Sequence, residues 1–316
     1  WDSRPKAAGG QRWFSLYPGQ RFAPNDPLHW TGRYQNWNAM CADCHSTNLQ
    51  KGYDEQSDSF VTTWHEQNVG CQSCHGPSQA HVDWAAKADK AKTTAAGKMG
   101  LQVDIKALDS KAQVENCAYC HSRRQTLGVG ARPGHPVLDA ALPATLRMDL
   151  YYADGQIQGE VYEYGSFTQS KMYAAGVACT DCHDPHSVRV KIEGNELCLQ
   201  CHSEQPPARF PSLQAKSYES PMHHHHKPGS VGARCANCHM PQTTYMQVDP
   251  RRDHSLRIPR PDLAEKTGSP DACTRCHEGK SPAWAAKAID GWFGEPQRPR
   301  HYGELLHSHG QGDALT

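Results

Sequence analysis

All 14 cysteines of this 316-residue chain lie in seven copies of one pattern, C-x-x-C-H. Two thiols at this spacing can add to the two vinyl groups of a porphyrin, and the imidazole that follows can ligate the iron. The sequence therefore predicts seven covalently attached c-type haems, with no cysteine left for a disulfide. The predicted attachment residues are Cys41 and Cys44, Cys71 and Cys74, Cys117 and Cys120, Cys179 and Cys182, Cys198 and Cys201, Cys235 and Cys238, and Cys273 and Cys276. The predicted proximal iron ligands are His45, His75, His121, His183, His202, His239 and His277.

Three other uses of paired cysteines fit this pattern less well. Disulfide formation does not require a histidine after every second cysteine. A structural zinc site takes four ligands from two half-sites, and seven half-sites cannot pair off. A thioredoxin-like redox motif occurs once, near a βαβ pattern. Covalent haem attachment explains both the number of motifs and the histidine in each of them.

The attachment chemistry also predicts where the protein resides. Haem is ligated to c-type cytochromes outside the cytoplasmic membrane, so we expect a periplasmic or extracellular protein. The sequence has no run of about 18 apolar residues, the length that crosses a bilayer, so we expect no membrane span. It begins at Trp1 and shows no signal peptide, from which we expect a processed or truncated chain.

The composition predicts a protein whose core is not made of aliphatic side chains alone. Only 37% of the residues are hydrophobic and the mean hydropathy is −0.77, yet eight Trp and twelve Tyr argue against a disordered chain. Haem would fill the interior. The 33 basic and 33 acidic side chains balance, which removes the electrostatic case for nucleic-acid binding.

The remaining histidines indicate what the haems do. Thirteen of the 20 histidines lie outside the motifs, enough to give every iron a second imidazole. An iron closed by two histidines offers no site to a substrate, which favours electron transfer, whereas an open iron favours catalysis. The predicted distal ligands are His29, His65, His81, His135, His186, His226 and His254, with His224 as the alternative to His226.

Local context separates these histidines from the others. His186 lies too close to His183 to cap the same iron, so we expect it to reach a neighbouring haem. The run 223–226 supplies one ligand in this interpretation; as alternatives, it is a surface metal-binding tract or a purification tag. His301, His307 and His309 fall in a polar tail, where solvated side chains are expected.

The motifs also predict the organisation of the chain. Successive motifs are between 19 and 62 residues apart, too irregular for a solenoid of equal repeats. We expect one heptahaem domain over 1–294 and a polar tail over 295–316. The predicted fold is mainly α-helical with much irregular structure and a few short strands, wrapped round a stacked haem array. Predicted helices are Val82–Ala96, Ile105–Cys120 and Pro282–Phe293, and predicted strands are a hairpin of Leu150–Tyr152 with Gln156–Phe167, then Val188–Ile192 and Thr243–Val248.

One resemblance is carried by the segments Cys179–His186 and Cys235–Pro241. They resemble the multihaem cytochrome c superfamily, which contains hydroxylamine oxidoreductase, pentahaem nitrite reductase and their electron-transfer relatives. A narrower resemblance is carried by Trp30–Leu49, Thr63–Pro77, His225–Pro241, Asp249–Leu263 and the Trp284–Gly294 helix. These segments are similar to bacterial multihaem cytochromes in which the haem region precedes tetratricopeptide repeats. The resemblance implies stacked haems with bis-histidine ligation, a further C-x-x-C-H motif upstream of Trp1, and a repeat region that starts near Arg300.

Two classes of function follow from these residues. The first is an electron conduit between redox protein partners or further copies of the same chain, with polymerisation into a filament as one form. The second is an oxidoreductase for a small nitrogen or sulfur compound at one open haem, where a polar side chain would supply protons. The candidates for that second role are Tyr119, Arg123, Arg124 and Lys171, which serve in the first as surface or propionate-pairing residues.

Overall fold

The computed structural model describes residues 1–87, 99–128, 130, 132–294 and 299–310. Most of these residues lie in turns and irregular segments, between short helices and four two-stranded sheets. The α-helices are Trp37–Met40, Ala42–His45, Gln72–His75, Gln79–Ala85, Ser110–Ala118, Tyr164–Phe167, Lys171–Ala174, Cys179–Cys182, Glu196–Leu199, Pro221–His224, Cys235–His239, Pro261–Thr267, Pro282–Phe293 and Tyr302–Gly310. The 3₁₀ helices are Lys6–Ala8, Ile105–Ala107, Val137–Asp139 and Val231–Ala233. The paired strands are Tyr53–Asp54 with Ser59–Phe60, Arg124–Thr126 with Ala141–Pro143, His183–Asp184 with Arg189–Val190, and Gln242–Tyr245 with Asp249–Arg252.

The predicted fold class, short helices with much irregular structure and a few short strands, is confirmed. The helix Pro282–Phe293 has the predicted bounds because its local signals are complete. Ser281 Oγ accepts a hydrogen bond from the Trp284 amide at 3.2 Å, a proline occupies the first turn, and Gly294 follows the last residue. No helix in the described ranges is both long enough and apolar enough to cross a membrane.

Two other predicted helices are shorter than expected. Within Ile105–Cys120, a 3₁₀ turn comes first and the α-helix starts only at Ser110, because Asp109 caps it by accepting from the Ala112 amide at 2.8 Å. The helix predicted at Val82–Ala96 is observed as Gln79–Ala85, and the predicted residues 88–96 lie outside the described ranges.

The predicted hairpin over 150–167 is wrong for most of its second strand. Tyr151 and Ile157 form one isolated antiparallel bridge, and residues Tyr164–Phe167 are helical. Buried carboxylates explain the difference, since Asp154 accepts from the Gln156 amide at 3.1 Å and Asp253 accepts from the Ile157 amide at 3.1 Å. These two hydrogen bonds occupy backbone amides that would otherwise donate to the opposite strand of a longer hairpin.

The other strand predictions are closer to the structure. The segment predicted at 188–192 contains Arg189–Val190, which pairs antiparallel with His183–Asp184. The segment predicted at 243–248 contains most of Gln242–Tyr245. The expected polar tail holds a helix, Tyr302–Gly310, whose Tyr302 hydroxyl donates to the Asp154 carbonyl at 2.8 Å.

The chain forms two compact units. The first comprises 1–120, 124–142 and 244–250, and its core is built from small side chains such as Ala42, Val114 and Val137. The second comprises 121–123, 143–243 and 251–316, and Leu150, Tyr151 and Val161 form a cluster in it. Each unit buries few large side chains, as the low hydropathy predicts.

Candidate haem sites

Most of the C-x-x-C-H motifs are single helical turns. Helical or near-helical hydrogen bonds close them, for example from the His45 amide to the Cys41 carbonyl at 3.1 Å and from the His202 amide to the Cys198 carbonyl at 2.9 Å. Residues at i, i+3 and i+4 share one face of a helix, so this turn presents both thiols and the imidazole on the same side. In the fourth motif the helix ends at Cys182, and His183 continues in extended conformation.

Three motif histidines are anchored through Nδ1. His75 Nδ1 lies 2.8 Å from the Val103 carbonyl oxygen, and His239 Nδ1 lies 2.6 Å from that of Arg257. Because a carbonyl only accepts, Nδ1 carries the proton in both rings, which directs the metal-binding lone pair to Nε2. Metal-ligating histidines typically have this arrangement.

The third anchored histidine has a carboxylate partner instead of a carbonyl. His121 Nδ1 lies 2.9 Å from Glu163 Oε2. Burial raises the pKa of Glu163, but the hydrogen bond from His121 and the nearby His254 outweigh burial and hold that pKa below its ordinary value. Glu163 is therefore an anion that faces a predicted iron ligand.

Three motif histidines each face a second imidazole. The ring centroids are 6.2 Å apart for His183 and His254, 6.1 Å for His239 and His223, and 6.0 Å for His277 and His226. An imidazole nitrogen binds a metal at about 2 Å and lies about 1.1 Å from its ring centre, so two rings on opposite sides of one iron have centroids about 6 Å apart. The observed separations fit this arrangement.

The pairs lack the further ligands of a zinc site. Within the described ranges, no group of three or more His, Cys, Asp or Glu side chains is arranged to hold a metal ion. A structural zinc takes four protein ligands, whereas haem iron takes one axial ligand from each face of the porphyrin. The residues present therefore fit haem.

Two of these rings have a lowered pKa, which favours the neutral form that binds iron. Burial and the neighbouring His239 lower the pKa of His223 to about 4, and burial and His254 lower the pKa of His183. His254 Nδ1 donates to the Arg252 carbonyl at 3.0 Å, and His226 Nδ1 donates to the carbonyl of His224. The Nδ1 atom of His223 is buried without a hydrogen-bond partner.

The structure thus places two of the predicted distal residues, His226 and His254, opposite motif histidines. The other five have different neighbours, as follows. His29 Nδ1 is 2.8 Å from Thr31 Oγ1, His65 Nδ1 is 2.9 Å from Gln72 Oε1, His81 Nδ1 is 2.8 Å from the Met99 carbonyl, His135 is 3.9 Å from Asp139, and His186 is 3.8 Å from Asp184.

His223 is a candidate ligand that sequence reasoning missed, and His224, the alternative to His226, has a different neighbour: its Nδ1 accepts from the His226 amide at 3.1 Å. The four-histidine run is a single helical turn, Pro221–His224, followed by His225 in left-handed conformation with φ of 53°. This reversal sends His223 to one motif histidine and His226 to another. Ser220 and Pro221 form a helix-start signal that predicts the turn, but not the reversal.

The helix Pro282–Phe293 supports this run. The His225 ring stacks on Trp292, with centroids 4.1 Å apart and planes inclined by 8°. Gly232 packs closely against His226, since a Cβ atom at position 232 would lie 2.2 Å from His226 Cδ2. Aromatic stacking and a glycine contact therefore hold the last two residues of the run in place.

Within the first unit, neighbouring motifs lie side by side. Cys44 Sγ is 3.8 Å from the Cys120 carbonyl oxygen, and the Asn116 amide nitrogen is 3.4 Å from the Cys74 carbonyl oxygen. Asp43 of the first motif pairs with Arg124 at 3.6 Å, and Arg124 covers the ring of Tyr119 at 4.1 Å. The first three motifs therefore attach their groups close together.

The second unit shows the same proximity. The Cys198 and Cys235 side chains are hydrogen-bonded to each other, and this bond, with burial, raises the pKa of Cys198. Asn195 links the same two motifs, since its Oδ1 accepts from the Cys235 amide at 2.9 Å. The fifth and sixth motifs are therefore neighbours.

Three of the residues considered for an open haem have the following surroundings. Burial raises the pKa of Tyr119 to about 12, with Asp43 adding to the shift, so this phenol stays neutral. The Arg123 amide donates to the Val161 carbonyl at 3.1 Å. Lys171 begins the helix Lys171–Ala174.

Two family models match parts of the chain. The model described as cytochrome c554 and c-prime matches residues 25–76, which contain the first two motifs. The model described as a doubled CXXCH motif matches residues 171–207, which contain the fourth and fifth motifs. No curated protein matches the chain significantly.

Two solved structures are similar to this one. The outer cell wall cytochrome OcwA aligns with a TM-score of 0.54 and 19% identity, over 81% of this chain and 63% of OcwA. The undecahaem cytochrome from the S-layer of Carboxydothermus ferrireducens aligns with a TM-score of 0.36 and 18% identity, over 82% of this chain and 46% of that one. The chain spans less than two thirds of either protein, and the likeness to OcwA is one of fold.

The glycine contact yields a test of the site. A G232A variant has to displace the His226 ring, so we expect one haem to lose low-spin character in the ferric electron paramagnetic resonance spectrum. The matched control is G291A, because a Cβ atom there meets nothing within 4 Å. A G232A protein that stays fully low-spin would contradict the placement of His226.

Proposed function

We propose that this chain, a multihaem c-type cytochrome, carries electrons through a series of closely spaced haems, each closed by histidine on both faces. The observation that carries the proposal is the set of three motif histidines facing a second imidazole at 6.0–6.2 Å. The motifs provide haem c attachment, and the number of seven haems is part of the proposal.

The second imidazole decides between conduction and catalysis. Haem supplies an iron that alternates between ferric and ferrous states. Where the chain provides a histidine on each side, no position is left for a substrate. Anchors such as the 2.6 Å bond from His239 Nδ1 to the Arg257 carbonyl keep the rings in place, which supports oxidation and reduction with little rearrangement.

We assign distal ligands on the same basis. His254 serves the iron of His183, His223 that of His239, and His226 that of His277. The irons of the other four motifs draw their distal ligands from the remaining predicted residues, which are His29, His65, His81, His135 and His186.

Proximity of the motifs supports transfer from one haem to the next. In the first unit Cys44 Sγ lies 3.8 Å from the Cys120 carbonyl, and in the second Cys198 and Cys235 share a hydrogen bond. Groups attached at such neighbouring cysteines lie close enough for electron tunnelling. The donor and acceptor in this proposal are extracytoplasmic redox proteins or further copies of the chain, with a filament as one form of assembly.

The proposed location is the periplasm or the cell exterior. Covalent haem attachment outside the cytoplasmic membrane supports it, as does the similarity of fold to a protein described as an outer cell wall cytochrome. We still predict that the chain belongs to the superfamily of hydroxylamine oxidoreductase and nitrite reductase. Within it, the predicted nearer relatives are the cytochromes that carry tetratricopeptide repeats.

The first test is spectroscopic. If histidine closes every iron, we expect the ferric protein to be wholly low-spin and the reduced protein not to bind carbon monoxide. A high-spin fraction, or carbon monoxide binding equivalent to one haem, would contradict the proposal and support an oxidoreductase with one open haem.

The second test addresses the ligand assignment. An H223A variant removes the imidazole opposite His239, so we expect one iron to become high-spin and to bind one equivalent of carbon monoxide. The matched control is H309A, which removes an exposed imidazole from the helix Tyr302–Gly310. An H223A protein that stays fully low-spin would overturn the assignment.

A further inference from the structure

We propose that Glu163 lowers the reduction potential of the haem ligated by His121. The proposal rests on the proposed haem ligation by this histidine. Its new element is that one carboxylate makes the reduction potentials of haems with the same attachment motif different.

The contact is short and its two sides are fixed by the backbone. Glu163 Oε2 lies 2.9 Å from His121 Nδ1. The Tyr164 amide donates to the His121 carbonyl at 2.9 Å, and the Arg123 amide donates to the Val161 carbonyl at 3.1 Å. Two main-chain hydrogen bonds therefore hold the segment of the carboxylate against the segment of the imidazole.

The anchor differs in charge from those of two other motif histidines. His75 and His239 donate to the carbonyls of Val103 and Arg257, which are neutral acceptors. A hydrogen bond to a carboxylate is about twice as strong as one between neutral groups. It draws the Nδ1 proton further from the ring, which makes the imidazole a more basic ligand and favours ferric iron.

The charge of Glu163 acts in the same direction. Oxidation adds one positive charge at the iron, and a nearby anion stabilises that charge.

A second glutamate nearby provides a contrast. Glu160, three residues before Glu163, forms an ion pair with Arg251 at 3.1 Å. Its charge is offset by a guanidinium, whereas Glu163 contacts the imidazole of His121. The two carboxylates therefore have different partners despite their proximity in sequence.

The test is a spectroelectrochemical titration of the holoprotein carrying an E163Q substitution. Glutamine keeps an oxygen that accepts from His121 Nδ1, so the contact is preserved while the charge is lost. We expect one redox component to move to higher potential and the others to stay in place. A titration curve that superimposes on that of the unsubstituted protein would overturn the proposal.

Two further variants separate charge from packing. E160Q removes the same charge from a carboxylate paired with Arg251 and should leave every component in place; a shift equal to that of E163Q would overturn the proposal. E163D keeps the charge, so we expect it to retain the original potentials. This variant still tests the proposal if the E163Q protein loses haem. A shift in E163D as large as in E163Q would mean that packing is responsible.

The spectrum of the unsubstituted protein keeps this proposal distinct from the proposed function. A wholly low-spin protein whose potentials ignore E163Q overturns only the role of Glu163. A high-spin fraction in the unsubstituted protein overturns bis-histidine closure, whatever the titration shows.

Discussion

Two thiols and one imidazole on the same side of a single helical turn form the constraint on which this structure depends. The turn closes through hydrogen bonds such as that from the His202 amide to the Cys198 carbonyl, and it is repeated along the chain at irregular intervals. At each C-x-x-C-H motif, the conformation of the chain is set by the requirements of haem attachment. The short helices, the two-stranded sheets and the small core side chains are consequences of that constraint.

How far the sequence predicts this structure depends on whether the controlling contacts are local. The helix Pro282–Phe293 was predictable residue by residue because its cap, its proline and its terminal glycine are adjacent to it. The strand predicted after Gln156 was not, because the Ile157 amide bonds to Asp253, which is 96 residues away. Carboxylates distant in sequence leave no local signal.

The same distinction holds for the candidate haem sites. The motif histidines are identified by their spacing from the cysteines, because covalent attachment requires that spacing. A candidate distal histidine is identified only by the tertiary structure that brings it opposite a motif histidine. His254 and His226 could be selected as candidates from their context, but their partners could not. His223 was missed because a run of four histidines gives no orientation until the left-handed residue His225 reverses the chain.

The imidazoles at these sites differ in the residues that anchor them, although the attachment motifs are the same. Some rings donate to backbone carbonyls, His121 donates to Glu163, and His225 is packed on Trp292. Attachment alone would make all sites equivalent. Differences between the sites therefore come from residues outside the motifs.

We propose that iron porphyrin is covalently held at all seven motifs, and the mass of the denatured polypeptide tests this attachment most directly. Thioether bonds survive denaturation, so we expect a mass greater than that of the bare chain by seven haem groups. A mass equal to that of the bare chain would contradict it.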